Sequence, residues 1–319
     1  MEYRSLGNTG LVVSEISLGS WLTFGSSVDR KGTQKMVRRA FERGVNFFDT
    51  ADVYSNGAAE EALGYALEGI PRPYTVIASK CFFPMSEQPN DRGLSRKHIF
   101  ESAEASLRRL GTDYLDLLQC HRPDPRTPIE ETVGAFEDLI RQGKLLYWGV
   151  SEWPASAIED ACRIADQRLA YRPISNQPQY SILRRGIELE VLPSCEREGL
   201  GLIVFSPLAQ GALTGKYKGG ERPESSRGAD LQRNVFMSAF LEPDSLERIE
   251  SLRPLASECG LSMARLALAW CLRQPGVSSV IVGATRSEQL DDDLEASGTT
   301  LPPEALERID ALFPPPRRD

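Results

Sequence analysis

Four residues in the first half of the chain could do acid–base chemistry together, because each stands at or just after the point where a short apolar run stops. Val45-Asn46-Phe47-Phe48 stops at Asp49, and Tyr54 follows five residues later. Val76-Ile77-Ala78-Ser79 stops at Lys80, and Leu117-Leu118-Gln119-Cys120 stops at His121. A tyrosine of ordinary pKa, about 10, is a poor acid at neutral pH. A neighbouring ammonium favours the phenolate and lowers that value. Asp49 can hold Lys80 charged and oriented, and His121 can donate a hydrogen bond to a carbonyl oxygen. Such a set would protonate an oxygen as hydride arrives at its carbon. Each residue alone has a plainer role: Asp49 as a cap for the next segment, Lys80 as a solvated charge, Tyr54 as loop packing, His121 as a structural histidine. Those roles require four coincidences at successive run ends, so the catalytic reading is preferred. Further runs end at Ser151, at Asn176 and Gln177, at Ser206 and at Gly283.

The elements that must position these residues are short apolar runs at 15–19, 45–50, 74–80, 115–121, 145–151, 173–177, 201–206 and 278–283. They are rich in Val, Ile, Phe and Leu without clean alternation, which is the pattern of strands buried on both faces. Helical patterns lie between them at 33–43, 57–67, 95–110, 128–142, 154–166, 185–199 and 262–273. The 95–110 segment opens on Ser95, a good cap, and repeats Ile99, Ala103, Leu107 and Leu110 at helical spacing. Pro128 and Gly143 bracket another in the expected order. Strand and helix in alternation predict an α/β fold with a parallel sheet, and eight units close it into a (β/α)8 TIM barrel. Chemistry in such barrels sits at the C-terminal ends of the strands. Residues 4–6 and 11–13 flank Gly7-Asn8-Thr9-Gly10 and predict a β-hairpin ahead of the barrel. Residues 211–244 form a long irregular stretch of the kind that is usually functional. No linker divides the chain, so residues 1–319 read as one domain. An open doubly wound sheet would need G-x-G-x-x-G after an early strand, and none is present. Gly211-Ala212-Leu213-Thr214-Gly215-Lys216 falls one residue short of a Walker A loop and continues with Tyr217.

The 319 residues carry a net charge of −8, which disfavours nucleic acid and anionic membranes as partners. No segment is apolar for long enough to span a bilayer, and the N-terminus lacks the features of a signal peptide. A cytoplasmic location is therefore expected. The six cysteines form no C-x-x-C pair and read as free thiols in a reducing compartment. Only two histidines exist, His98 and His121, so neither a structural zinc nor a metal-dependent barrel hydrolase is expected.

Asn46-Phe47-Phe48-Asp49-Thr50-Ala51-Asp52-Val53-Tyr54, Lys80 at its strand end, and Cys120-His121-Arg122-Pro123-Asp124 resemble, in order and spacing, the catalytic tetrad of the aldo-keto reductases. The resemblance covers almost the whole chain. It is strongest to the branch that contains voltage-gated potassium channel β subunits and their microbial and plant relatives. Leu18-Gly19-Ser20-Trp21-Leu22-Thr23-Phe24-Gly25, Gly93-Leu94-Ser95-Arg96-Lys97-His98, Tyr147-Trp148-Gly149-Val150-Ser151-Glu152-Trp153 and Ala269-Trp270-Cys271-Leu272-Arg273 carry that likeness. The channel subunits tend to have Asn where this chain has His121, which favours a working reductase.

The resemblance implies Tyr54 as general acid, Lys80 with Asp49 as its partners, and His121 as the group that orients the substrate carbonyl. It implies that Ser151, Gln177 and Asn176 meet the nicotinamide carboxamide and that Phe205 stacks on the ring. Ser206, Pro207, Leu208 and Gln210 would line the pyrophosphate path, with Gly19, Ser20 and Trp21 near the nicotinamide end and Gly283 at the last strand. Lys216, Arg227 and Arg286 fall where the family grips the adenosine end, with Thr285 and Gln289 as polar contacts. Arginine suits bidentate phosphate binding, so the cofactor expected is NADPH (NADP+). Asp292 and Asp293 match positions that meet the adenine amine in relatives, or form a solvated helix face. Trp21, Phe82 and Trp153 would wall the substrate pocket with Tyr54 and His121, or serve as core aromatics. The 211–244 stretch would fold over the cofactor as a lid. Glu152 has no assigned role. The expected substrate is a small aldehyde or ketone, and a homo-oligomer is compatible with the branch. A second expectation is a redox-sensing regulatory subunit that binds the nucleotide, turns over slowly and docks on a partner.

Overall fold

Eight parallel strands close into a barrel. They are β3 (Ile16–Gly19), β4 (Phe47–Asp49), β5 (Val76–Cys81), β6 (Leu115–Cys120), β7 (Leu145–Ser151), β8 (Ser175–Gln177), β9 (Gly201–Val204) and β10 (Val277–Val282), and β10 pairs with both β9 and β3. The hairpin precedes them as β1 (Tyr3–Ser5) and β2 (Val12–Ser14), antiparallel, with Tyr3 opposite Ser14. The structure is a computed structural model and describes residues 1–223, 226–230, 237 and 240–317.

The uniform hydrophobicity of the strands follows from two cores. Phe47, Val76, Ala78, Leu117, Ile174 and Ile203 form an inner cluster that also takes Leu6 and Val13 from around the hairpin. Their strand neighbours Phe48, Ile77, Leu118 and Leu202 belong to the larger cluster shared with the helices. Alternate residues therefore face opposite sides, and both sides are apolar. The Arg4 guanidinium ties the hairpin to β10 through Glu15 (2.6 Å) and the Val277 carbonyl (2.7 Å).

The outer layer runs α1 (Arg30–Glu42), α2 (Ala58–Leu67), α3 (Arg96–Leu110), α4 (Ile129–Arg141), α5 (Ala155–Gln167), α6 (Val191–Glu198), α7 (Pro243–Glu250), α8 (Arg253–Glu258), α9 (Met263–Leu272), α10 (Ser287–Leu294) and α11 (Pro303–Leu312). Asp29 caps α1 by accepting from the Gly32 amide at 2.7 Å, which starts this helix three residues before the expected 33. Ser95 caps α3 by accepting from the His98 amide, and Gly111 ends it with φ +65°. The segment expected as one helix over 185–199 is a 3-10 turn, Gly186–Glu188, followed by α6. Pro193 lacks an amide hydrogen, so it fits only the first turn of a helix that restarts at Val191.

Residues 211–244, expected to be irregular, open with 3-10 turns at Ala209–Thr214 and Lys218–Gly220, and α7 begins at Pro243. Residues 224–225, 231–236 and 238–239 of that stretch lie outside the described residues, and so does this part of the expected lid. Cysteines 81, 120, 162, 195 and 271 are buried free thiols, and Cys259 is a partly buried one. Among the described residues no group of His, Cys, Asp or Glu could hold a metal ion, and no single helix is long and apolar enough to cross a membrane.

Replacing Ser95 with Ala should cost about 1 kcal/mol through the lost cap. In a chain of this size that is a fall of roughly 2 °C in Tm, measurable by differential scanning calorimetry.

Candidate active site

The C-terminal ends of β4 and β5 bring Asp49 and Lys80 together inside the barrel mouth. Asp49 pairs with Ala78 in the ladder, which puts Lys80 two residues further along β5 and on the same face. Lys80 is wholly buried and Asp49 is 3 % exposed. The Lys80 Nζ donates to Asp49 Oδ1 at 2.6 Å, to the Thr50 carbonyl at 2.8 Å and to the Tyr54 hydroxyl at 3.2 Å. Gln177 Nε2 donates to the other Asp49 oxygen at 2.8 Å, so both carboxylate oxygens are occupied. Burial penalises the Lys80 ammonium most, but Asp49 and Tyr54 outweigh it and hold its pKa above the usual lysine value.

Tyr54 sits on a strained turn. Ser55 and Asn56 adopt φ +50° and +52°, and Gly57 takes φ +91° before α2 begins. A Cβ on Gly57 would lie 2.7 Å from the Arg109 side chain, so this turn can pass only with glycine there. Asp52 anchors the same turn. Its carboxylate accepts from the Val53 amide at 2.6 Å and from the Ser102 hydroxyl of α3 at 2.8 Å. Burial, reinforced by nearby Glu60, raises Asp52 to about 7. Sequence reasoning passed over Asp52; a carboxylate between Ala51 and Val53 in an apolar stretch was the available signal.

The Tyr54 phenol departs from expectation. Lys80 lowers its pKa as anticipated, but burial is the larger effect and the net shift is upward. The hydroxyl is therefore held in its protonated, donating form. His121 faces Tyr54 edge-on, with ring centres 5.6 Å apart. Burial, then the charges of Lys80 and Arg122, push the His121 pKa well below the usual histidine value, so its ring is neutral.

A cleft of about 1330 Å³ opens over this cluster. Asp49, Tyr54 and His121 line it, with Gly19, Trp21, Ser151, Gln177, Phe205, Ser206, Pro207, Leu208 and Gln210 along the way. Its far end holds Lys216, Arg227, Gly283, Thr285, Arg286, Gln289, Asp292 and Asp293. Lys216 is held below the ordinary lysine value by burial and by the charges of Arg227 and Arg286. Arg227 donates to Gln210, which donates to Ser206, and this chain braces a loop whose Ser206, Ala209 and Gln210 all have positive φ. The acidic run at 291–293 divides. Asp291 pairs with Arg39 and Arg43 at 2.9 Å. Asp292 binds Ser262 and Arg265, and Asp293 is buried and raised to about 8 by burial and by Asp292.

Besides Lys80, buried behind Tyr54, four expected residues do not line the cleft. Ser20 is buried and donates to Thr50 at 2.8 Å. Asn176 is buried beside Gln177, and adjacent strand residues point to opposite faces, so only Gln177 reaches Asp49. Trp153 is buried in the outer core. Phe82 packs against that core, and Phe83, which was not expected, takes its place at 4.8 Å from the His121 ring. A shift of face after β5 ends at Cys81 separates the two phenylalanines, and strand periodicity cannot foresee it. Arg122, Arg184 and Glu152 also line the cleft. The Glu152 carboxylate accepts from the Gln179 amide at 2.6 Å, which gives it the bracing role the sequence left open.

The aldo/keto reductase family model matches residues 15–313. The chain belongs to that family. Reductases of this family are oxidoreductases that use nicotinamide cofactors. A protein of Arabidopsis thaliana named probable voltage-gated potassium channel subunit beta is 45 % identical over 318 residues, covering 98 % of this chain and 97 % of the relative. A protein of the same name from Oryza sativa subsp. japonica is 44 % identical over 317 residues, covering 98 % and 96 %.

Lys80→Met should leave the Asp49 carboxylate buried without its counter-charge, at a cost of roughly 3–5 kcal/mol. Thermal denaturation should show the loss, and the double variant Asp49→Asn/Lys80→Met should recover part of it. A loss in the double variant equal to the sum of the single losses would mean the two side chains are not coupled.

Proposed function

We propose that this chain is an NADPH-dependent reductase that converts aldehydes or ketones to alcohols, with Tyr54 as the proton donor. The observation that carries this reading is the Lys80 ammonium, fixed by Asp49 and 3.2 Å from the Tyr54 hydroxyl, at the inner end of a long cleft. The donor set of the cleft fits a phosphorylated dinucleotide. Lys216, Arg227 and Arg286 would grip its adenosine end, and arginine favours the bidentate grip that the additional phosphate of NADPH offers. Ser206, Pro207, Leu208, Gln210, Gly283, Thr285, Gln289, Asp292 and Asp293 would line its path, and Gly19, Trp21, Ser151, Gln177 and Phe205 its inner end. When bound, the dihydronicotinamide supplies the hydride.

The chain's own residues supply the rest. Neutral His121 donates to the carbonyl oxygen and orients it. Tyr54 gives its proton to that oxygen as the carbon gains hydride. Lys80 then faces a phenolate, and the same ammonium that lies beside the phenol stabilises the charge left on it. A phenol kept protonated and an imidazole kept neutral are the forms that this direction of reaction needs. Residues 1–319 would act as one domain in the cytoplasm, where the free thiols stay reduced.

The names of the relatives, probable subunits of a channel, favour a second reading, a regulatory subunit; on that reading the chain would bind the nucleotide, turn over slowly and dock on a partner. His121 speaks for turnover. A steady-state assay separates the two. Micromolar protein should oxidise NADPH in the presence of benzaldehyde or methylglyoxal, and negligible turnover together with a stably co-purifying protein would favour the regulatory reading.

Tyr54→Phe should abolish aldehyde-dependent NADPH oxidation, and near wild-type turnover would remove Tyr54 from its role. Because burial raises the Tyr54 pKa, the acid form persists through neutral pH, and kcat/KM for reduction should fall only above about pH 10. A decline centred near neutrality would contradict that assignment.

A further inference from the structure

Besides Arg184, which lies over the Phe240 ring, two cationic centres face the cleft from opposite sides of the barrel mouth. The first is the group of Lys216, Arg227 and Arg286, next to the ends of β9 and β10. The second is Arg122, one residue past His121 at the end of β6. In the closed order β10-β3-β4-β5-β6-β7-β8-β9, β6 stands directly across the ring from β10. A dinucleotide that reaches from the first centre to the tetrad would have its adenosine-end phosphate at that centre and its pyrophosphate along Ser206 to Gln210, after β9. Arg122 lies on the far side of the tetrad and has no cofactor phosphate to meet.

Arg122 is held in place at the reacting end. Its Nη1 donates to the His121 carbonyl at 2.5 Å, and its guanidinium carbon lies 5.5 Å from the centre of the Phe83 ring. Phe83 packs edge-on to His121, which packs edge-on to Tyr54. The guanidinium charge is felt at both Tyr54 and His121. Several other arginines that are buried or partly so meet carboxylates: Arg72 with Asp116 at 2.6 Å, Arg109 with Glu60 at 2.6 Å and Arg185 with Glu188 at 3.0 Å. Arg122 forms no ion pair among the described residues. Asp124, the acid nearest in sequence, is taken by the Leu94 amide, the Thr127 hydroxyl and Arg126. Glu152, the other acid on this side of the cleft, accepts from the Gln179 amide. A guanidinium beside an aromatic ring, with most of its five N–H donors unused, is matched by a planar carboxylate.

The geometry points to Arg122 as an anion-recognition residue at the substrate end of the cleft, so that the preferred substrate is an aldehyde or ketone carrying a carboxylate a few bonds from its carbonyl. This rests on the reductase reading for where the carbonyl lies. The carbonyl meets Tyr54 and His121, the carboxylate meets Arg122, and the faces of Trp21 and Phe83 flank the carbons between them.

The test compares 4-formylbenzoate with its uncharged methyl ester in wild type, Arg122→Gln and Arg122→Lys. Wild type should favour the acid, and Arg122→Gln should lose on the order of tenfold or more in kcat/KM on the acid, mostly through KM. On the ester the loss in Arg122→Gln should be several-fold smaller than on the acid, with folding checked by an unchanged thermal melt, and Arg122→Lys should recover part of the preference. Equal use of acid and ester by wild type, or an equal loss on both in Arg122→Gln, would overturn the inference and leave Arg122 as a support for His121. If neither aldehyde is turned over, the reductase reading fails separately, and calorimetry with benzoate and benzamide on the NADP+-saturated protein decides. Benzoate binding that is lost in Arg122→Gln and absent for benzamide supports the anion site. Equal affinity of wild type and variant for benzoate contradicts it.

Discussion

An ammonium with no exposed surface has to find all its partners inside the protein, and Lys80 finds three: a carboxylate, a backbone carbonyl and a phenol. Taking such a charge out of water costs several kcal/mol, and close, well-oriented partners are what offset that cost. The arrangement constrains everything near it. Asp49 must present one oxygen to Lys80, so Gln177 is drawn across the barrel to satisfy the other. Tyr54 must reach inward from a turn with two non-glycine residues at positive φ, and that turn is held by Asp52 and by the glycine that follows it. The strain is local; the anchoring comes from α3 and from the strand ladder.

A closed ring of parallel strands turns these local requirements into a two-sided cleft. Strands on one side carry the acid–base cluster, and the strands that close the ring carry the cations at the far end. Asp49 and Lys80 are fixed by the strand ladder, whereas Lys216 and Arg227 sit on the segment that follows β9 and Arg286 just ahead of α10. This is why binding at one end and chemistry at the other can be tuned by separate residues. The mutual repulsion of Lys216, Arg227 and Arg286 is tolerated in the same way, because the strands and the braced loop from Ser206 to Gln210 hold them where an anion would relieve it.

The barrel and its four central side chains were legible in the sequence because both depend on local pattern. β7 spans the predicted 145–151, and the other strands fall within a few residues of their predicted runs. Asp49, Lys80 and His121 could be found as the polar residues that end apolar runs. What could not be read depends on tertiary context. The direction of the Tyr54 shift is a contest of burial and Asp49 against the cations Lys80 and Arg122, and sequence shows the charges but not the burial. Phe83 replaces Phe82 because the strand period stops at Cys81, and Asn176 yields to Gln177 because only one of two adjacent residues can face inward. The acidic run at 291–293 divides among three surroundings that are distant in sequence, with Arg39 and Arg43 on one side and the cleft on the other.

The central claim is that the Lys80 ammonium acts on the Tyr54 phenol. The most direct measurement is a 13C NMR titration of ring-labelled tyrosine, with Tyr54 assigned by comparison with Tyr54→Phe, in wild type and in Lys80→Met. The account predicts that Tyr54 ionises at a lower pH in wild type than in Lys80→Met, where burial loses its main opponent. A Tyr54 that titrates at the same pH in both proteins, or earlier in the variant, would contradict it.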